Sequence, residues 1–168
     1  MQATLDMILV ALGSNLPSEA GSPRETLCAA LDRLAAHGAR IDAVSPFYET
    51  PAWPDPEDPR YVNAVARVTS DLPPRDLMAL LQKIETSLGR TRSRRNAPRT
   101  LDLDIIDYDG RVENGPPILP HPRMRDRAFV LRPLFDIAPD WRHPVSGEPI
   151  AALLAALPND VNAMVRLG

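Results

Sequence analysis

From Tyr61 to Thr69 the chain alternates without a break: Val62, Ala64, Ala66 and Val68 make one series, Tyr61, Asn63, Val65 and Arg67 the other. A two-residue period of that length reads as a strand with one face on a core. Such a face has to be buried by other elements, and the flanking segments supply candidates. Met7–Leu12 is a continuous apolar run with β-branched residues, a buried strand by pattern. Ser22-Pro23-Arg24-Glu25 is a capping box with proline at the first helical position, and Leu27, Leu31 and Leu34 repeat at helical spacing up to Gly38. Ile41–Glu49 reads as a second strand, followed by an acidic, proline-rich loop over Pro51–Pro59.

Downstream, Pro73-Pro74 opens a second helix with Leu77, Leu80, Leu81, Ile84 and Leu88 on one side and Gly89 as its stop. Leu101, Leu103 and Ile105 form a fourth strand running into Asp109-Gly110, a hairpin turn signal. The order β-α-β-β-α-β predicts an α+β, ferredoxin-like split βαβ core. Past residue 111 the pattern predicts short helices near Arg123–Arg127, Val130–Ile137 and Ile150–Leu157, then a last strand at Val161–Val165. A length of 168 residues predicts one domain, residues 1–168, able to bury about two-thirds of its unfolded surface.

Between the second helix and the fourth strand lie five arginines in ten residues, Arg90, Arg92, Arg94, Arg95 and Arg99. Two aspartates follow at i, i+2, Asp102 and Asp104, both on one side of their strand and about 6.6 Å apart along it. Carboxylates so spaced can converge on one magnesium or on a close pair, with phosphate oxygens and water filling the other positions. Arginine forks bind phosphate bidentately. The combination points to phosphoryl transfer from a magnesium-nucleotide complex. By itself, D-x-D reads equally as a solvated acidic edge strand, and the arginines as a flexible surface loop. Arg90 beside the helix end and Arg99 beside the strand are the two held by ordered elements. Asn63 and Glu85 together present an amide and a carboxylate, complementary to the N–C–N edge of a flat heterocycle, although spacing alone leaves Glu85 exposed. His121 precedes a second basic group, Arg123, Arg125 and Arg127.

Net charge is −3, which argues against a general nucleic-acid binder. Eighteen of the nineteen basic residues are arginine, so the density of charge carries the signal more than the choice of arginine does. The single cysteine, Cys28, excludes an internal disulfide, fits a reducing cytoplasm and reads as a packing residue. No signal peptide or membrane span is expected. An RNA-binding ferredoxin-like module would place several aromatics on the central strands, and only Tyr61 qualifies.

These residues assemble into a resemblance. A-L-G-S-N-L (11–16), S-P-F-Y-E-T-P (45–51), Y-V-N-A-V (61–65), I-E-T-S-L-G-R (84–90), A-P-R-T-L-D-L-D-I (97–105) and the stretch 119–139 resemble, in order, the pyrophosphokinases that act on 6-hydroxymethyl-7,8-dihydropterin in folate biosynthesis. The resemblance implies transfer of the β,γ-pyrophosphoryl group of ATP to the pterin hydroxymethyl oxygen, with release of AMP. It implies two Mg2+ ions on Asp102 and Asp104, and Arg90 and Arg99 as phosphate clamps. Arg92, His121 and Arg127 become further ATP contacts, with Ile105 at adenine and Glu85 an adenine-side or structural acid. The pterin would stack between Tyr61 and Phe129, read by Asn63, with Asn15, Thr50 and Pro51 beside it. Gly13-Ser14-Asn15, Pro51–Pro59 and Arg90–Arg99 would be mobile closing loops. The partners implied are ATP and the pterin, with no nucleic acid or membrane, and a monomer is expected. The chain departs from the better-known members at Asn96-Ala97, Pro116 and Pro122, and its Arg92–Arg99 loop is one residue shorter; these bear on loop closure and ATP affinity.

Overall fold

The computed structural model describes residues 7–52, 55–90, 100–158 and 164–167. In chain order come β1 (Ile8–Ser14), α1 (Pro23–Ala36), β2 (Ala39–Val44), β3 (Tyr48–Thr50), β4 (Tyr61–Ser70), α2 (Pro74–Ser87) and β5 (Asp102–Tyr108). A small pair, β6 (Glu113–Asn114) and β7 (Ile118–Leu119), precedes α3 (Ala128–Ile137), α4 (Ile150–Ala155) and β8 (Val165–Arg166). The main sheet runs β5-β1-β4-β3-β8, with β2 also paired to β4. This is the expected ferredoxin-like core with helical and strand additions after it.

Helix α1 starts where the capping box predicts. Ser22 Oγ accepts the Glu25 N–H at 3.3 Å, and the Glu25 carboxylate accepts the Ser22 N–H at 3.1 Å. Leu27, Ala30 and Leu34 of α1, with Leu77, Leu81 and Ile84 of α2, cover one side of the sheet. There they meet Val10 and Leu12 of β1, Val62, Ala64, Ala66 and Val68 of β4, and Leu103 and Ile105 of β5. Each fully buried Leu or Ile contributes about 1.5–3 kcal/mol, so this layer is the chief support of the sheet. Cys28 is exposed and takes no part in it, contrary to the packing role its helical pattern suggests.

The opposite side is covered only in part. Leu9, Val65 and Ile106 pack under Val130, Leu131 and Leu134 of α3, Ile150 and Leu153 of α4, and Trp141. The β1–β5 register shifts by one residue between Leu9 and Val10: Leu9 faces Asp107, and Val10 faces Ile105. Ile106 is therefore an extra residue, a β-bulge that brings both Ile106 and Asp107 to the α3 side. Asp107 is 4% exposed and accepts hydrogen bonds from Trp141 Nε1 at 2.8 Å and from the Gly110 N–H at 3.0 Å.

Burial pushes the Asp107 carboxyl above its ordinary value of 3.8, against the pull of the Trp141 and Gly110 donors. A raised carboxylate pKa means that the folded state loses stability as pH climbs above 3.8 towards the folded value. Trp141→Phe removes the principal donor from the ionised form. It should cost about 1–3 kcal/mol near neutrality, and less near pH 4, as read by urea midpoints at the two pH values. A cost independent of pH would show that the loss is one of packing alone.

Four local expectations are corrected. The Ile41–Glu49 strand divides at Ser45-Pro46, since Pro46 has no N–H; Ser45 Oγ instead accepts the Val65 N–H at 3.0 Å, and β3 resumes at Tyr48. Asp109 and Gly110 do form a turn, with φ of 54° and 72°, but the chain does not return along β5 as a hairpin. It makes the β6–β7 pair and rejoins β5 where the His121 N–H meets the Ile106 carbonyl at 2.9 Å. The helix near Arg123–Arg127 is a single 3-10 turn, Met124–Asp126. The last strand is Val165–Arg166, paired to β3, and residues 161–163 lie outside the described residues. No described helix is long and apolar enough to cross a membrane.

Candidate active site

One row of residues crosses the α3 side of the sheet, buried at Asn63 and Gly13 and partly exposed at Asp102. Gly13 of β1 pairs with Asn63 of β4 on one side and with Asp102 of β5 on the other. Asp104 and Tyr61 stand two residues from Asp102 and Asn63 on the same sides of their strands, as the two-residue period predicts. Strands lie about 4.8 Å apart, so Asn63 and Asp102 are separated by about 10 Å with a glycine between them. Gly13 and Ser14 are thus the end of a buried strand and not part of a loop. Asn15, just past it, is 3% exposed and donates through Nδ2 to the Pro59 carbonyl at 2.9 Å, tying the proline-rich segment to β1.

On the acidic side of the row, Arg90 Nη1 donates to Asp102 Oδ1 at 3.0 Å and to Glu85 Oε2 at 2.6 Å. The same Glu85 oxygen accepts the Leu103 N–H at 2.7 Å. Glu85 is 5% exposed, so the exposed reading that its spacing allows is wrong. Burial pushes its carboxyl up to about 7; the Leu103 N–H and Arg90 oppose this, while Asp102 and Asp104 add to it. The carboxylate bridges the end of α2 to the start of β5 and holds Arg90 against Asp102. Of the two roles open to Glu85, the structural one matches these contacts.

Asp102 and Asp104 side chains are 30% and 39% exposed. His121 Nε2 stands 3.9 Å from Asp104 Oδ2, and its Nδ1 accepts the Arg123 N–H at 3.1 Å. Burial, helped by Arg127 and Arg123, pulls His121 down to about 4. At neutral pH it is therefore an uncharged N–H donor, and its contact with Asp104 is not an ion pair. The bulge explains its place: the Ile106 carbonyl takes the His121 backbone and sets the imidazole beside Asp104.

On the other side of the row, Asn63 Nδ2 donates to Thr50 Oγ1 at 2.8 Å, and both residues are buried. Thr50 pairs with Tyr61 across β3 and β4. Phe129, in the first turn of α3, is packed against the second core, with the Arg127 guanidinium 5.4 Å from its ring centre. The Ile105 side chain is buried in the first core, so an adenine contact there would run through its backbone. Arg92 and Arg99 lie outside the described residues. The Asn63–Thr50 pair and the glycine between Asn63 and Asp102 escaped the sequence reading, because register between distant strands is not visible in composition or period.

Among the described residues no cluster of three His, Cys, Asp or Glu side chains could hold a metal unaided. Two partly exposed carboxylates on one strand side are still a hard oxygen donor set, which suits magnesium that takes its other ligands from phosphate and water. An open depression of about 560 Å³ lies beside Gly38, Arg40, Thr69 and Asp71. It borders Ser70, seven residues and about 23 Å along β4 from Asn63, and is no part of this site.

The family model for 7,8-dihydro-6-hydroxymethylpterin-pyrophosphokinase (HPPK) matches residues 9–139. A Pseudomonas aeruginosa protein named 2-amino-4-hydroxy-6-hydroxymethyldihydropteridine pyrophosphokinase is 44% identical over 156 residues, 92% of this chain and 93% of that one. The Methylorubrum extorquens protein of the same name is 40% identical over 148 residues, 87% and 90% of the two chains. Among solved structures, an HPPK-DHPS in complex with substrates superposes with a TM-score of 0.73 at 12% identity, over 97% of this chain and 48% of that one. Plasmodium falciparum wild-type HPPK-DHPS with STZ-DHP gives 0.70 at 13% identity, over 89% and 43%. These structural likenesses speak for the fold, and this chain spans less than half the length of either.

Proposed function

Since the chain belongs to the 7,8-dihydro-6-hydroxymethylpterin-pyrophosphokinase family, it is a pyrophosphokinase of folate biosynthesis, and we propose that the Asn63–Gly13–Asp102 row is its reaction axis. The pterin lies at the Asn63 end and ATP at the aspartate end. The hydroxymethyl oxygen attacks the β-phosphorus in line and gives up its proton to water, the bond from that phosphorus to the AMP oxygen breaks, and AMP leaves.

Asp102 and Asp104 would hold two Mg2+ ions with the ATP phosphates. When bound, magnesium neutralises charge on the triphosphate and fixes its orientation. Arg90 and Arg99 clamp the transferred group, and Arg92, His121 and Arg127 bind the rest of the triphosphate. His121 donates from Nε2 to a phosphate oxygen, its Nδ1 being engaged by the Arg123 N–H. Glu85 is a positioning residue that acts through Arg90. The pterin stacks between Tyr61 and Phe129, with its edge on Asn63 and with Asn15, Thr50 and Pro51 around it. A loose transition state asks for positioning and charge neutralisation more than for a strong base.

The observation that carries this reading is Arg90 Nη1 shared between Glu85 and Asp102. It puts a phosphate-binding cation and a metal-binding carboxylate at one point, on the same sheet surface as Asn63. The test is to incubate the protein with ATP, magnesium and 6-hydroxymethyl-7,8-dihydropterin and separate the nucleotides. AMP is expected in step with pterin consumption, and chelation by EDTA should abolish it. ADP in place of AMP would rule out pyrophosphoryl transfer.

A further inference from the structure

We propose that Gly13 is a positioning residue, whose missing side chain keeps Asn63 aimed at the pterin. This rests on Asn63 reading the pterin edge. A Cβ built on Gly13 would stand 2.8 Å from Asn63 Oδ1 and 3.8 Å from Tyr61 Cδ1. The first distance is too short for any real contact, so Asn63 would have to turn. It has no cheap way to do so: the residue is 5% exposed, and its Nδ2 is engaged by Thr50 Oγ1 at 2.8 Å. Swinging Oδ1 away from Gly13 breaks that bond and misdirects the acceptor that an N–H of the heterocycle would meet.

The usual reasons for a glycine do not apply here. Gly13 is not among the residues with positive φ, and its extended backbone is one that alanine adopts readily. In a strand interior glycine is the weaker choice, for want of a side chain to pack and for the entropy it loses. Elsewhere β1 presents a side chain to each neighbour; only between Asn63 and Asp102 does it present none.

The test compares Gly13→Ala, Asn63→Ala and the double variant, by calorimetric titration with 6-hydroxymethylpterin and with a non-hydrolysable ATP analogue, and by thermal melting. Gly13→Ala should weaken pterin binding about tenfold or more. Its affinity for the ATP analogue should stay close to wild type, while loss of the buried Asn63–Thr50 bond should lower its melting temperature by a few degrees, as Asn63→Ala does. In the double variant the alanine at 13 should add nothing to the loss caused by Asn63→Ala, since the atom it strikes is gone. Wild-type pterin affinity in Gly13→Ala, or additive losses in the double variant, would overturn the proposal. So would a melting temperature clearly lower in the double variant than in Asn63→Ala alone, because the conflict would then lie in the strand. Undiminished pterin binding in Asn63→Ala alone would instead remove the reading beneath it, and Gly13's role with it.

Discussion

Asp102→Asn should form AMP about 10³-fold more slowly than the wild type and still fold. The amide keeps the volume of the carboxylate and an oxygen for Arg90 Nη1, which lies 3.0 Å from Asp102 Oδ1. What it loses is the charge that a magnesium ion needs. Electrostatic stabilisation of a transferring phosphoryl group by a metal amounts to several kcal/mol, and about 4 kcal/mol is about 10³ in rate. The cost to the fold is small by comparison. The Asp102 side chain is 30% exposed, so its ion pair contributes about 1 kcal/mol at most, or about 2–4 °C of melting temperature in a chain of this size. Steady-state AMP formation and a melting curve separate the two effects. Turnover within tenfold of wild type would exclude Asp102 as a metal ligand, and a collapse of the melting transition would make it a structural residue.

The second large effect belongs to Arg90. Arg90→Ala removes a phosphate clamp, and loss of such an arginine is expected to cost about 10³-fold in turnover. Arg90→Lys should recover little of it, because a point charge does not reproduce the bidentate fork. A stability signature should accompany the alanine variant. Glu85 is held near 7 by burial, with Arg90 drawing it down and Asp102 and Asp104 pushing it up. Without Arg90 its pKa rises further. A carboxyl raised in the folded state lowers stability as pH rises from its ordinary value of 4.5 up to the folded value and no further, so a higher folded value extends the loss to higher pH. In protein free of metal and nucleotide, the gap in melting temperature between Arg90→Ala and wild type should be small at pH 6 and widen above pH 7. A gap that does not change with pH would mean that Glu85 carries no charge against Arg90, and wild-type turnover would take Arg90 off the phosphates.

Some of this was legible before any coordinates. The capping box at Ser22 and the alternation from Tyr61 are local, short-range patterns, and the chain obeys them. The D-x-D spacing correctly puts Asp102 and Asp104 on one side of β5, because a strand's period is a property of the strand alone. What could not be read depends on which strand lies beside which. Gly13 looks like a loop residue in the string L-G-S-N and becomes a strand residue only because Asn63 and Asp102 pair with it. Glu85 sits at the edge of an apolar arc, and its burial comes from β5 arriving with the Leu103 N–H. Trp141 and Asp107 are 34 residues apart and share a hydrogen bond that neither neighbourhood announces. Arg92 and Arg99 stay as the sequence leaves them, lying outside the described residues.

The bulge at Ile106 has a consequence for how β5 can vary in length. Asp104 and Asp107 are an odd number of residues apart, yet both must be shown to the α3 side, one to the open site and one to Trp141. An unbroken strand cannot satisfy both, and the supernumerary Ile106 absorbs the odd step. A one-residue deletion at Ile106 would therefore leave every other side chain of β5 on its own side, at the cost of a buried isoleucine and of the carbonyl that seats His121. An insertion between Asp102 and Ile105 would turn Asp102 into the apolar layer under α1 and α2. Changes in the length of β5 are confined to the step between Ile105 and Asp107, and the residues on each side of that step can be inherited only as a block.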